Sequence, residues 1–166
     1  MTTEQLPIER RIFLAYPFTE FYNNGKIDEL TIDLAHIQNA IQEEGRYSVG
    51  YCSIFEEEKF KKENIGWDER YKLTAAKLKN CGIFLGYVPT STLSSGRENE
   101  AISALEDFKM DLYFLVKSGI NWKEYHPKLI NYLSEKNISM PKVIEFSGSP
   151  RIELQDLLRT YEFIKK

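Results

Sequence analysis

Short apolar runs alternate along the chain with stretches whose apolar residues fall three and four positions apart. The runs are residues 11–16 (RIFLAY), 47–54 (YSVGYCSI), Ile83–Val88 (IFLGYV), 111–116 (DLYFLV) and 141–146 (PKVIEF). Their length and continuity predict strands buried on both faces. After the first run, Ile27, Leu30, Leu34, Ile37 and Ile41 make one apolar helical face, which Gly45 ends. Residues 70–79 (RYKLTAAKLK) read as the back of a second helix, and a third opens near Ser95. A fourth lies within residues 121–136, with Leu129, Ile130 and Leu133 facing inward and Pro127 in its first turn. Ser149-Pro150 predicts the start of a last helix carrying Ile152, Leu157, Leu158, Tyr161 and Ile164.

Two segments lack either rhythm. PFTEFYNNGKID contains Asn-Asn-Gly and reads as a loop. The charged stretch FEEEKFKKENIGWDE reads as a solvated loop or helix end. Its Phe55, Phe60 and Trp67 are also apolar enough to serve as a lid over a pocket.

Strands that alternate with helices imply a parallel sheet covered on both faces, because parallel neighbours need crossovers and helices supply them. With right-handed crossovers, the expected fold is a single α/β domain over residues 1–166. It is flavodoxin- or Rossmann-like, with five parallel strands in the order 2-1-3-4-5 and helices on both faces. That order puts a topological switch point between the first and third strands, and ligands bind there outside the carboxyl ends of the strands. The segments reaching that place are Tyr16-Pro17-Phe18, residues 52–55 and residues 89–100.

Composition narrows the partners. The chain has 166 residues, 42% hydrophobic and 28% charged, with a net charge of -3 and no basic cluster. Long nucleic acid is therefore not an expected partner, whereas a small anion held in a local pocket is compatible. Cys52 and Cys81 lie in apolar runs without a C-x-x-C spacing and read as buried reduced thiols. His36 and His126 are far apart and form no metal-ligand pattern, so no metal is expected. No segment resembles a signal core or a membrane span, which makes the cytosol the expected location.

The candidate chemistry gathers in Ser94-Ser95-Gly96-Arg97-Glu98-Asn99-Glu100. A Ser/Gly loop entering a helix presents free N–H groups and the positive end of the helix dipole, which together favour an anion. Ser95 to Glu98 has capping-box spacing, giving Glu98 a structural role as well as a candidate catalytic one. Glu100 has no such local role. Two residues apart on a helix, the carboxylates point about 200° away from each other, so at most one faces a pocket there. A lone carboxylate can attack an anomeric carbon or stabilise an oxocarbenium-like transition state. Hydroxyls, N–H groups and Arg97 can hold a 5'-phosphate, and aromatic rings can stack a base.

These residues resemble a family. IFLAYPF and NCGIFLGYVPTSTLSSGRENEAISAL are similar to the first strand and the Ser-Gly-x-x-x-Glu segment of nucleoside 2-deoxyribosyltransferases and the related 2'-deoxynucleoside 5'-monophosphate N-glycosidases. The resemblance implies a nucleophile at Glu100 and a phosphate contact at Ser95-Gly96. It also implies a sugar-pocket position at or near Tyr16, with Pro17 and Phe18 beside it. The family's loop aspartate has no counterpart in PTSTLSS, and Ile102 stands where a glycine is common. The nearest acid to the family's other aspartate is Asp68, the candidate for orienting the sugar and protonating the base. No cofactor is implied. A homodimer or larger homo-oligomer is, with Phe18, Phe21, Tyr22 and Trp122 as candidate interface rings.

The expected function is cleavage or transfer at the N-glycosidic bond of a (deoxy)nucleoside or its 5'-monophosphate. Ser94, Ser95 and Arg97 favour a phosphorylated substrate. The alternatives are a non-catalytic nucleotide-sensing domain and a TIR-like module processing NAD-type nucleotides. A response-regulator-like role is disfavoured, because no acidic cluster follows the first strand.

Overall fold

A computed structural model describes residues 6–148 together with Pro150 and Leu154. Five strands form one all-parallel sheet in the order β2-β1-β3-β4-β5. They are β1 (Arg11–Ala15), β2 (Ser48–Tyr51), β3 (Ile83–Val88), β4 (Asp111–Lys117) and β5 (Lys142–Phe146). The helices are α1 (Phe18–Asn23), α2 (Ile27–Glu44), α3 (Glu57–Lys62), α4 (Trp67–Lys77), α5 (Ser95–Phe108) and α6 (Pro127–Glu135). The expected strand order is thus the observed one. The last helix expected from the sequence falls, apart from Pro150 and Leu154, outside the described residues.

Alternation along the central strands builds two cores, one on each face. Ile12, Leu14, Ile83, Leu85, Tyr113 and Leu115 pack with Leu30, Leu34, Ile37 and Ile41 of α2. Phe13, Ala15, Phe84, Val88, Leu112, Phe114 and Val116 face the other way, onto Ala101 and Ala104 of α5 and Leu129 and Leu133 of α6. All six residues of β3 are buried, as a central strand covered on both faces requires. Gly45 closes α2 in the left-handed region at φ 89°, which its missing side chain permits.

Three segments differ from expectation. Residues 18–23 form a helix instead of a loop, because Phe21 is buried in the α2-side core and anchors one turn there. The Asn-Asn-Gly signal marks only the end of that helix, with Gly25 at φ 68°. The second strand stops at Tyr51, and Ser53–Glu56 turns into a single 3₁₀ turn. Within that edge strand the pairing to β1 skips Gly50, where a Cβ would stand 2.8 Å from Cys81 Sγ. The charged stretch contains α3 and the start of α4. No residue of α4 is fully buried, so α4 borders the site rather than the core.

Candidate functional site

A cavity of about 220 Å³ opens at the carboxyl ends of β1 and β3, at the switch point. Its floor is the end of β1 with Tyr16. One side is the start of α5, with Ser94, Gly96, Arg97 and Glu100. The opposite side is built by Glu57 and Phe60 of α3 and by Trp67, Arg70, Tyr71 and Thr74 of α4. Of the residues expected from the sequence, Tyr16, Phe18, Ser94, Gly96, Arg97 and Glu100 line this one cavity. Ser95, Pro17, Glu98 and Asp68 do not line it.

The loop into α5 is tied down from α1. Glu20 accepts hydrogen bonds from Thr90 Oγ1 at 2.6 Å and from Thr92 Oγ1. Ser94, not Ser95, is the N-cap, and its hydroxyl accepts the N–H of Arg97 at 3.4 Å. This one-residue shift corrects the expected capping box. The third helical position belongs to Arg97, so Glu98 cannot reach back to Ser95 and is free to point elsewhere. It crosses to α6, where its carboxylate accepts the N–H groups of Lys128 at 2.8 Å and Leu129 at 3.1 Å. Glu98 is buried and caps a neighbouring helix, so its role is structural but not the local one expected.

Glu100 points the other way, as the 200° separation requires. Its side chain leans back over the preceding turn, and its Oε1 lies 3.8 Å from where a Cβ on Gly96 would be. The carboxyl group is desolvated at the cavity wall. Burial pushes its pKa up from 4.5 to about 8, and the Arg97 charge opposes that rise. The N–H groups of Ser95 and Gly96 belong to the first turn of α5, where no intrahelical acceptor exists. Free N–H groups at a helix start favour an anion, and of these two residues Gly96 alone lines the cavity.

Arg97 is 1% exposed. Its Nε donates to His126 Nε2 at 2.9 Å and its Nη1 to the Tyr87 carbonyl at 2.8 Å. Its Nη2 has no hydrogen-bond partner. A phosphate contact from Arg97 is therefore restricted to that one nitrogen, because the other two are committed. His126 is fully buried, and its Nδ1 lies 2.7 Å from the Trp122 carbonyl. A ring that donates from Nδ1 and accepts at Nε2 is neutral, and burial beside Arg97 lowers its pKa to about 4.

Tyr16 hydrogen-bonds Ser53 Oγ at 2.5 Å, so the turn that shortens β2 aims a second hydroxyl into the cavity. Burial holds the Tyr16 phenol well above its usual range, chiefly by desolvation. Across the cavity, Arg70 pairs with Glu57 at 2.7 Å, donates to the Ile65 carbonyl at 2.8 Å, and lies 4.6 Å over the Trp67 ring. Phe18 contacts both Tyr22 and Trp67, at ring separations of 5.5 and 5.4 Å. Trp67 is 58% exposed at this rim.

The α3–α4 wall was visible in the sequence only as aromatics in a charged stretch. Glu57, Arg70, Tyr71 and Thr74 carried no signal of their own, whereas Ser53 belongs to residues 52–55, which the strand order brings to the switch point. Asp68 lies in the exposed first turn of α4 rather than at the cavity. Among the rings expected at an interface, Phe21 and Trp122 are buried core residues, which removes them from any surface. Among the described residues, no group of three metal-ligating side chains exists, and no helix is long and apolar enough to cross a membrane. Comparison with protein-family models, with curated proteins and with solved structures finds no match.

Proposed function

We propose that the protein cleaves or transfers at the N-glycosidic bond of a (deoxy)nucleoside or its 5'-monophosphate, with Glu100 acting on the anomeric carbon. The observation that carries this reading is the position of Glu100. It is the α5 carboxylate that lines the switch-point cavity, between aromatic rings on one side and an anion-favouring helix start on the other. Phe18, Phe60, Trp67 and Tyr71 suit a base, and Gly96 at the start of α5, with the Ser94 hydroxyl beside it, suits a phosphate.

In the proposed step the ionised Glu100 attacks C1', and the base departs with the electron pair of the C1'–N bond. Water, or a second base in transfer, then displaces Glu100 from C1'. In hydrolysis, water supplies oxygen to C1' and a hydrogen to the base. Tyr16 and Ser53, as neutral hydroxyls at the cavity floor, hold the sugar. The same reading includes a cytosolic homo-oligomer, with exposed Tyr22 and Trp67 as the rings an interface would cover.

The test is release of free base from a panel of deoxynucleosides and their 5'-monophosphates. Release that is lost in Glu100→Ala and kept in Glu98→Ala, measured on folded protein, supports the reading. Tight nucleotide binding without product replaces it with a nucleotide sensor.

A further inference from the structure

The cation nearest the chemistry is buried and fixed. Arg97 sits one helical turn before Glu100 on α5, and its guanidinium is anchored from behind by two acceptors that carry no charge. One is the Tyr87 carbonyl at the end of β3. The other is His126 Nε2, whose ring is oriented by the Trp122 carbonyl and packed against Phe114 at a ring separation of 4.8 Å. An arginine buried without a carboxylate partner is costly. It borders the cavity that holds Glu100.

We propose that Arg97 and His126 are positioning residues: neutral His126 fixes the Arg97 guanidinium, and that fixed positive charge keeps the Glu100 carboxylate available to the cavity. The inference rests on Glu100 being the reacting group.

The other groups around Glu100 leave this task to Arg97. Tyr16 after β1, Tyr51 of β2 and the Cys52 thiol are all pushed up by burial and stay neutral near pH 7. Glu57 and Arg70 neutralise each other across the cavity, and Tyr71 beside them is a phenol. Glu20 is held by two threonines, and Glu98 is committed to α6. Arg97 is thus the charge that favours an ionised Glu100; burial lowers the Arg97 pKa to about 10, and the Glu20, Glu98 and Glu100 charges oppose that fall. His126 holds that charge without neutralising it, which a carboxylate in its place would do.

The measurement is the Glu100 carboxyl titration by carbon NMR in the wild type and in Arg97→Met, His126→Phe and His126→Gln. Arg97→Met is expected to raise the midpoint by about one pH unit or more, leaving at least tenfold less carboxylate at pH 7. His126→Phe is expected to move it the same way, because the anchor is lost. His126→Gln restores an acceptor and is expected to return the midpoint towards wild type. A midpoint unmoved in folded Arg97→Met overturns the proposal. Should that variant not fold, nitrogen NMR of the wild-type His126 ring decides. A neutral ring protonated at Nδ1 down to about pH 4 agrees with the proposal, and a ring protonated at Nε2 at pH 6 overturns it. The titration needs no turnover, so an absence of base release overturns the glycosidic reading and not the Arg97–Glu100 coupling.

Discussion

The carboxylate of Glu98 on α5 accepts the backbone N–H of Leu129 on α6 at 3.1 Å, so one helix caps another. Glu98 also takes the Lys128 N–H, so it satisfies both donors left open in the first turn of α6, where Pro127 has no N–H and the His126 N–H is bonded to the Lys123 carbonyl. Glu98→Ala is therefore expected to destabilise the fold by about 1–3 kcal/mol. The check is a lower urea midpoint with an unchanged slope, while base release per folded molecule stays as in the wild type.

Glu100 should behave in the opposite way. Its folded pKa of about 8 lies above its ordinary 4.5. The unfolded chain ionises first, so the Glu100 contribution is most favourable below pH 4.5 and worsens as pH rises to 8. Glu100→Gln is expected to be more stable than the wild type at pH 8.5, by on the order of 2–3 kcal/mol given the partial exposure of the residue. The two proteins should converge near pH 4, as read from urea midpoints at both pH values.

The same ionisation governs turnover. A nucleophile must be ionised, so kcat/KM for base release, read at substrate well below saturation, is expected to climb with pH and level off above about 8. A profile that instead falls through this range assigns Glu100 the role of proton donor.

His126 gives an acid limb to stability. Its folded pKa of about 4 lies below its ordinary 6.5. The unfolded chain takes up the proton first, so stability is intact above pH 6.5 and lost as pH falls towards 4. The expected loss is about 3 kcal/mol. In His126→Gln this part of the pH dependence disappears, which denaturation at pH 7 and pH 4.5 will show.

Gly86 in β3 faces Phe114 of β4 at its closest approach. A Cβ on Gly86 would stand 2.5 Å from the Phe114 ring. Phe114 is itself locked between Phe84, Trp122 and His126. Gly86→Ala is expected to cost about 1–3 kcal/mol, seen as a lowered Tm, and Gly86→Ala combined with Phe114→Leu should recover part of it.

The sequence by itself determined the sheet. Five apolar runs separated by helical periodicity admit few arrangements, and right-handed crossovers reduce these to the observed order. That order alone places the cavity at the ends of β1 and β3, where Tyr16, Phe18, Ser94, Gly96, Arg97 and Glu100 meet. Helical geometry alone also separated Glu98 from Glu100. Only the tertiary structure decided what each of these does. The N-cap is Ser94 because Glu20, 74 positions before Ser94 in the chain, ties down Thr90 and Thr92. That one-residue change sends Glu98 to α6 rather than to its own helix start. Arg97 turns inward because His126 and the Tyr87 carbonyl meet it there, a convergence of three elements that no local pattern encodes. The α3–α4 wall is likewise a long-range product. Its helices bury almost nothing of their own, so their periodicity is weak, and the Glu57–Arg70 pair takes its meaning from the cavity it faces.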